Sequence, residues 1–131
     1  MKIFGIGTDI IQISRMKKSL KKDSFLTRLF SDDEIKNCKK KVNSISCYAK
    51  RFASKEAFSK ALGTGVAKGI KFKEINILNE KNGKPYIKLL GNTKKITNKK
   101  IKKKNYKISL SISDEKNYAV AFVTISVWKK K

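Results

Sequence analysis

Tyr106-Lys107-Ile108-Ser109-Leu110-Ser111-Ile112-Ser113 alternates cleanly, and after Asp114-Glu115-Lys116-Asn117 comes Tyr118-Ala119-Val120-Ala121-Phe122-Val123-Thr124-Ile125-Ser126-Val127-Trp128. Successive strand side chains point to opposite faces, so Tyr106, Ile108, Leu110 and Ile112 share one face. Lys107, Ser109, Ser111 and Ser113 occupy the other. The intervening residues turn the chain back on itself. The strand Tyr118 to Trp128 is apolar on both faces, so it is expected to be central or covered by another subunit.

Upstream, Asn82-Gly83 is a hairpin turn signal between strands Glu74 to Leu78 and Pro85 to Leu90. Pro85 opens its strand, where the missing N–H does little harm. Asn92 to Lys104 is lysine-rich with Ile96 and Ile101 as its only anchors, either a weak surface helix or a mobile loop. Further back the pattern becomes helical. Ser14 is positioned to cap a helix from Arg15 to Lys22, and Ser24 to Phe30 carries another apolar turn. Ser31 and Glu34 form a capping box opening a helix through about Lys40. Ser44 is positioned to cap the longest helix, Ile45 to Leu62, which Gly63, Gly65 and Gly69 break. At the start, Lys2 to Ile13 reads as a strand with Gly5, Gly7 and Asp9 on one side. One strand, then helices, then an antiparallel set means α+β, an antiparallel sheet packed with a long helix.

The 131 residues predict one domain, 1–131, with 129–131 a frayed tail. Zero histidines exclude histidine bases and histidine metal sites, and Cys38 and Cys47 alone make neither a zinc site nor a disulfide framework. A reducing cytosol is the expected compartment. No stretch approaches the ~20 apolar residues of a membrane span. Asp9 interrupts the apolar start and no small-residue cleavage site follows, so a signal peptide is not expected.

Net charge +23 suggests a polyanionic partner. Thirty of the basic residues are lysines and only Arg15, Arg28 and Arg51 are arginines. Base readout and bidentate phosphate clamps favour arginine. With sixteen isoleucines and nine asparagines alongside, the lysines read as AT-rich codon bias spread over the surface.

On the longest helix, Ile45, Tyr48, Ala49, Phe52 and Glu56 share one arc, with Lys60 beside Glu56. A carboxylate on an apolar arc is costly unless a cation meets it. An ordinary i,i+4 Glu56–Lys60 pair would suit an exposed face better. A metal is the other partner, given a second oxygen ligand, and Asp9 is the candidate. For Asp9 itself the pattern leaves a strand-end cap and a metal ligand both open. Two carboxylates without histidine select a hard ion, Mg²⁺, whose shell is completed by water and phosphates. Gly63-Thr64-Gly65 would suit a phosphate, although glycines after a helix also serve as plain C-caps.

Gly5-Ile6-Gly7-Thr8-Asp9-Ile10, Arg51-Phe52-Ala53-Ser54-Lys55-Glu56-Ala57-Phe58-Ser59-Lys60-Ala61 and Gly63-Thr64-Gly65 together resemble the holo-acyl-carrier-protein synthase family of small phosphopantetheinyl transferases. Asn82-Gly83-Lys84-Pro85 and Leu110-Ser111-Ile112-Ser113 resemble further family blocks, in order and at the usual spacings. The resemblance implies the 4′-phosphopantetheinyl transferase fold. The implied reaction moves the 4′-phosphopantetheine of coenzyme A to a serine of apo acyl carrier protein and releases adenosine 3′,5′-bisphosphate. It further implies that Asp9 and Glu56 hold Mg²⁺ and that Lys60 neutralises the pyrophosphate, with Gly63 and Gly65 nearby. Ser111, Ser113 and Pro85 would border the adenine and Arg51 the 3′-phosphate. Arg15, with Arg28, would grip the acidic carrier protein. A cytoplasmic homotrimer with shared active sites is implied too.

One departure stands out: Asp114 follows Ser113 where many members carry histidine. An aspartate beside a 3′-phosphate would repel it, so Asp114 is expected to point away. With no histidine, the serine proton must pass to a carboxylate or a water, and Glu56 or water is the expectation. The alternative function is a basic nucleic-acid-binding module using the lysines of Asn92 to Lys107 as a phosphate track. That segment has a single aromatic, Tyr106 near its end, and the alternative leaves Asp9 and Glu56 without a role.

Overall fold

A computed structural model of the chain describes residues 1–64, 68–102 and 104–130. The elements follow as β1 (Lys2–Gln12), α1 (Ile13–Ser19), α2 (Asp23–Leu29), α3 (Asp32–Lys39), α4 (Ser44–Leu62), a 3₁₀ turn (Phe72–Glu74), β2 (Ile75–Asn79), β3 (Pro85–Leu89), α5 (Gly91–Lys100), β4 (Asn105–Asp114) and β5 (Tyr118–Trp128). The arrangement is α+β, with all strand pairs antiparallel.

β5 is the central strand of a sheet ordered β1-β5-β4, and only its inner face is buried in the single chain. The register aligns Asp9, Ala121 and Ile112 across it. Ala121, Val123, Ile125 and Val127 on its inner face meet Ala53, Ala57, Phe58, Ala61 and Leu62 of α4. Fully burying a side chain such as Phe58 or Leu62 contributes roughly 1.5–3 kcal/mol. β1 lies directly on the α4 backbone. A Cβ on Gly5 would collide with the Ala61 carbonyl, and one on Gly7 with the Ala57 carbonyl. The outer face is different. Ile6, Ile10, Val120 and Phe122 are exposed there, Phe122 to 45%.

β2 and β3 form a separate two-stranded sheet, turned at Gly83 with φ +91°. In the segment from Asn92, where the sequence left helix and loop both open, the structure has a helix, α5, over Gly91–Lys100. Its start is held by a side chain distant in the chain. The Glu74 carboxylate accepts from the Asn92 and Thr93 backbone N–H groups at 3.1 and 3.2 Å, and from the Thr93 hydroxyl at 2.8 Å.

Helix caps differ in part from expectation. The Ser31–Glu34 capping box is present on both sides. Asn43, not Ser44, caps α4, its Oδ1 accepting from the Ser46 N–H at 3.1 Å. Ser14 lies inside α1, whose N-cap, Gln12, makes no side-chain cap bond. The cysteines differ as well. α3 and α4 pack together and bring Cys38 and Cys47 to a Cα–Cα distance of 5.5 Å, joined as a disulfide, where the sequence led to no expectation of a disulfide framework.

Candidate active site

Asp9 is placed by the glycines before it. Gly5 and Gly7 bring β1 onto α4, and Asp9, two residues further on the same face, comes against the exposed side of that helix. There Lys60 donates to the Thr8 carbonyl at 2.9 Å and to Asp9 Oδ1 at 3.3 Å. Asp9 is largely shielded while Lys60 is 55% exposed, so the cation can turn toward a ligand without leaving solvent. Burial pushes the Asp9 carboxyl above its ordinary range, with Lys60 opposing. Burial and the nearby Asp9 charge push Glu56 upward too, again opposed by Lys60. Two half-shielded carboxylates that repel each other are stabilised by a shared cation, and their all-oxygen donors suit a hard one. Asp9 and Glu56 therefore fit Mg²⁺. Gly63 closes α4 in the left-handed conformation, φ +81°. Gly65 lies outside the described residues.

Glu56 is only partly buried. The fully buried charge on α4 is its neighbour Lys55, which the sequence supplied only as a motif letter. A helical wheel puts Lys55 in line with Tyr48 and Leu62, seven residues to either side, and nothing local shows that Glu34 meets it from α3.

Arg51 and Pro85 belong to a second place, a cavity of about 980 Å³ between the α3–α4 connection and the β2–β3 hairpin. Lys40, Lys41 and Lys50 also line it, while Asp9, Glu56 and Lys60 do not. Arg51 is 5% exposed and donates to Asn79 Oδ1 at 3.3 Å. Its Nε has no partner among the described residues, an unmet donor suited to an anion. Burial lowers its pKa, opposed by the negative field of Glu34. Asp114 does not point away from the cavity. It lines the wall and accepts from the Ser46 hydroxyl at 2.8 Å, with Lys50 Nζ at 3.9 Å.

Ser111 and Ser113 fall in a third place, on the outer sheet face opposite Phe122 and Val120. Arg15 on α1 and Arg28 on α2 are exposed. One chain therefore gathers Asp9, Glu56 and Lys60, gathers Arg51 with Pro85 elsewhere, and leaves the serines apart.

Known proteins are similar to this chain over nearly its whole length. Residues 5–123 match the 4′-phosphopantetheinyl transferase superfamily. The holo-[acyl-carrier-protein] synthase of Pelagibacter ubique is 50% identical over 125 residues, 95% of this chain and 98% of its own. That of Ehrlichia chaffeensis is 48% identical, covering 94% and 96%. The crystal structure of the Bacillus anthracis holo-(acyl-carrier-protein) synthase in complex with CoA (3′,5′-ADP) superimposes with TM-score 0.78 at 35% identity, covering 95% and 97%. A match across nearly the whole chain, at up to 50% identity, shows that the chain belongs to the 4′-phosphopantetheinyl transferase superfamily and, within it, to the holo-acyl-carrier-protein synthases.

Proposed function

We infer that the chain transfers 4′-phosphopantetheine from coenzyme A to a serine of apo acyl carrier protein, releasing adenosine 3′,5′-bisphosphate. The convergence of Asp9, Glu56 and Lys60 on one shielded spot, in a chain of this family, carries the inference. The serine oxygen forms a bond to the phosphorus that bears pantetheine, and the bond from that phosphorus to the bridging oxygen breaks. Such transfers depend on charge neutralisation and in-line positioning. Asp9 and Glu56 would hold Mg²⁺, which when bound supplies positive charge to the pyrophosphate. The Lys60 ammonium, exposed and only loosely paired with Asp9, adds a second positive charge to the leaving oxygens. Backbone at Gly63 borders the phosphates. Without a histidine in the chain, Glu56 is the carboxylate placed to take the serine proton, directly or through a water.

Arg51 takes the 3′-phosphate with its unmet Nε, in the basic cavity bordered by Pro85. Asp114, matched by Ser46 and Lys50, leaves that cavity net basic. A homotrimer would bring the separated groups together. The exposed Ile6, Ile10, Val120 and Phe122 form an apolar face that a lone subunit seldom tolerates. Ser111 and Ser113 lie on that same face, so a neighbouring copy packed there would bring them to the adenine. Arg15 and Arg28 hold the acidic carrier protein. The proposal places the enzyme in the cytoplasm with both substrates, and no described helix is long and apolar enough to cross a membrane.

Incubation with coenzyme A, Mg²⁺ and an apo carrier protein, followed by weighing the carrier, tests the reaction. A gain of one phosphopantetheinyl group is expected, and an unchanged carrier mass would refute it. The nucleic-acid alternative is not carried forward, since α5 bears no aromatic and the family offers it no support.

A further inference from the structure

One fully buried ion pair takes no part in the reaction above. The side chains of Lys55 and Glu34 are both 0% exposed, 2.7 Å apart. Lys55 Nζ donates to Glu34 Oε1, to the Phe72 carbonyl at 2.6 Å and to the Ile75 carbonyl at 2.7 Å. Three protons meet three acceptors, so the ammonium is saturated. Glu34 Oε1 also accepts from the Ser31 N–H at 2.9 Å, and Oε2 from the Ile77 N–H at 3.2 Å. Three of these backbone partners, Phe72, Ile75 and Ile77, belong to the segment that enters β2.

Stability alone does not account for the pair, because apolar residues of similar volume often hold a fold as well or better. What the pair grips is more informative. The β2–β3 hairpin shares no strand ladder with the β1-β5-β4 sheet, and a two-stranded hairpin is marginal by itself. Hydrophobic packing of Ile75, Ile77 and Leu89 presses it onto the core without fixing its exact position. Its far end supplies Asn79, Gly83, Pro85 and Tyr86 to the wall of the large cavity. Arg51 lies one turn before Lys55 on α4 and bonds Asn79 near that end. α4 thus holds the hairpin at its root through Lys55 and near its tip through Arg51.

We propose that Lys55, with Glu34, is a positioning residue that fixes the β2–β3 hairpin against α4 and so sets the width of the cleft that takes the nucleotide end of coenzyme A. The inference rests on the coenzyme A reading given above. Directional bonds from a charged group to backbone carbonyls replace the missing ladder.

The test uses the full-length enzyme carrying Lys55→Met with Glu34→Gln, which keeps volume and retains an oxygen to accept from Ser31 or Ile77. Amide hydrogen exchange over 75–89 should accelerate about tenfold relative to β1, β4 and β5, as loss of the clamp lowers the local opening energy. The KM for coenzyme A should rise about tenfold, while kcat and the KM for carrier protein stay within about threefold of wild type. If the double variant does not fold, Lys55→Gln with Glu34→Gln removes both charges while keeping hydrogen-bonding groups on both sides, and should show the same split at smaller amplitude. Unchanged hairpin exchange, or a fall in kcat at constant KM for coenzyme A, would overturn the proposal. Absence of transfer by the wild-type enzyme would instead refute the functional reading, and the exchange measurement would still judge the clamp.

Discussion

Gly7→Ala isolates the contact that puts Asp9 in place. A Cβ at residue 7 would meet the Ala57 carbonyl and stand 2.7 Å from the Ala61 backbone nitrogen. Both are main-chain atoms inside α4, so neither can swing aside as a flexible side chain would. β1 must retreat by about an ångström to restore ordinary van der Waals separation. Overpacking of this kind costs about 1–3 kcal/mol. With a urea slope of about 1–3 kcal/mol/M, the midpoint should fall by about 1 M, leaving the protein folded under assay conditions. Asp9, two residues along the same face, moves with the strand. A displacement of that size can lower catalysis by about a hundredfold. The assays are urea unfolding and kcat/KM for transfer to carrier protein. The expected signature is a moderate stability loss with a disproportionate loss of kcat/KM. Normal turnover with lowered stability would show that the close approach serves packing and does not position Asp9.

Asp9→Ala and Glu56→Gln should each abolish transfer while thermal unfolding stays within a few degrees of wild type, and near-normal turnover of either at limiting Mg²⁺ would refute the two-carboxylate site. Because burial and Asp9 hold Glu56 above its ordinary 4.5, it gains a proton while a free glutamate is still ionised. Activity should therefore fall early on the acid side, saturating Mg²⁺ should move that limb to lower pH, and this group should not weaken the fold there because protonation removes a shielded charge. Arg15→Glu should raise the KM for carrier protein about tenfold or more, at roughly 1.5–3 kcal/mol for a charge-assisted bond, leaving the KM for coenzyme A in place. Glutamine at Lys99 and Lys100 should change it little, and equal losses would mean that bulk charge recruits the partner. Phe122→Lys on the exposed sheet face should yield monomers in sedimentation and lower activity, whereas full activity as a monomer would refute the shared site.

Much of this molecule is written in short-range pattern. Period-two alternation from Tyr106 to Ser113, the Asn82-Gly83 turn and the Ser31–Glu34 box each specify their element within a few residues, because strand pleat, turn dihedrals and helix ends are local physics. Asp9 and Glu56 were legible for a related reason: a carboxylate among apolar neighbours is costly wherever the chain goes, so its oddity shows before its partner is known. Tertiary structure decided the rest. It chose Glu74 to hold the start of α5, and it brought Glu34 to Lys55 across twenty-one positions. It turned Gly5 and Gly7 from permissive strand residues into points where two backbones touch. It also divided the candidate site residues among three places on one subunit. Periodicity reports which side of an element is buried. It carries no information on which distant group arrives there, because that depends on how whole elements pack, and charge compensation in the interior is settled only at that stage.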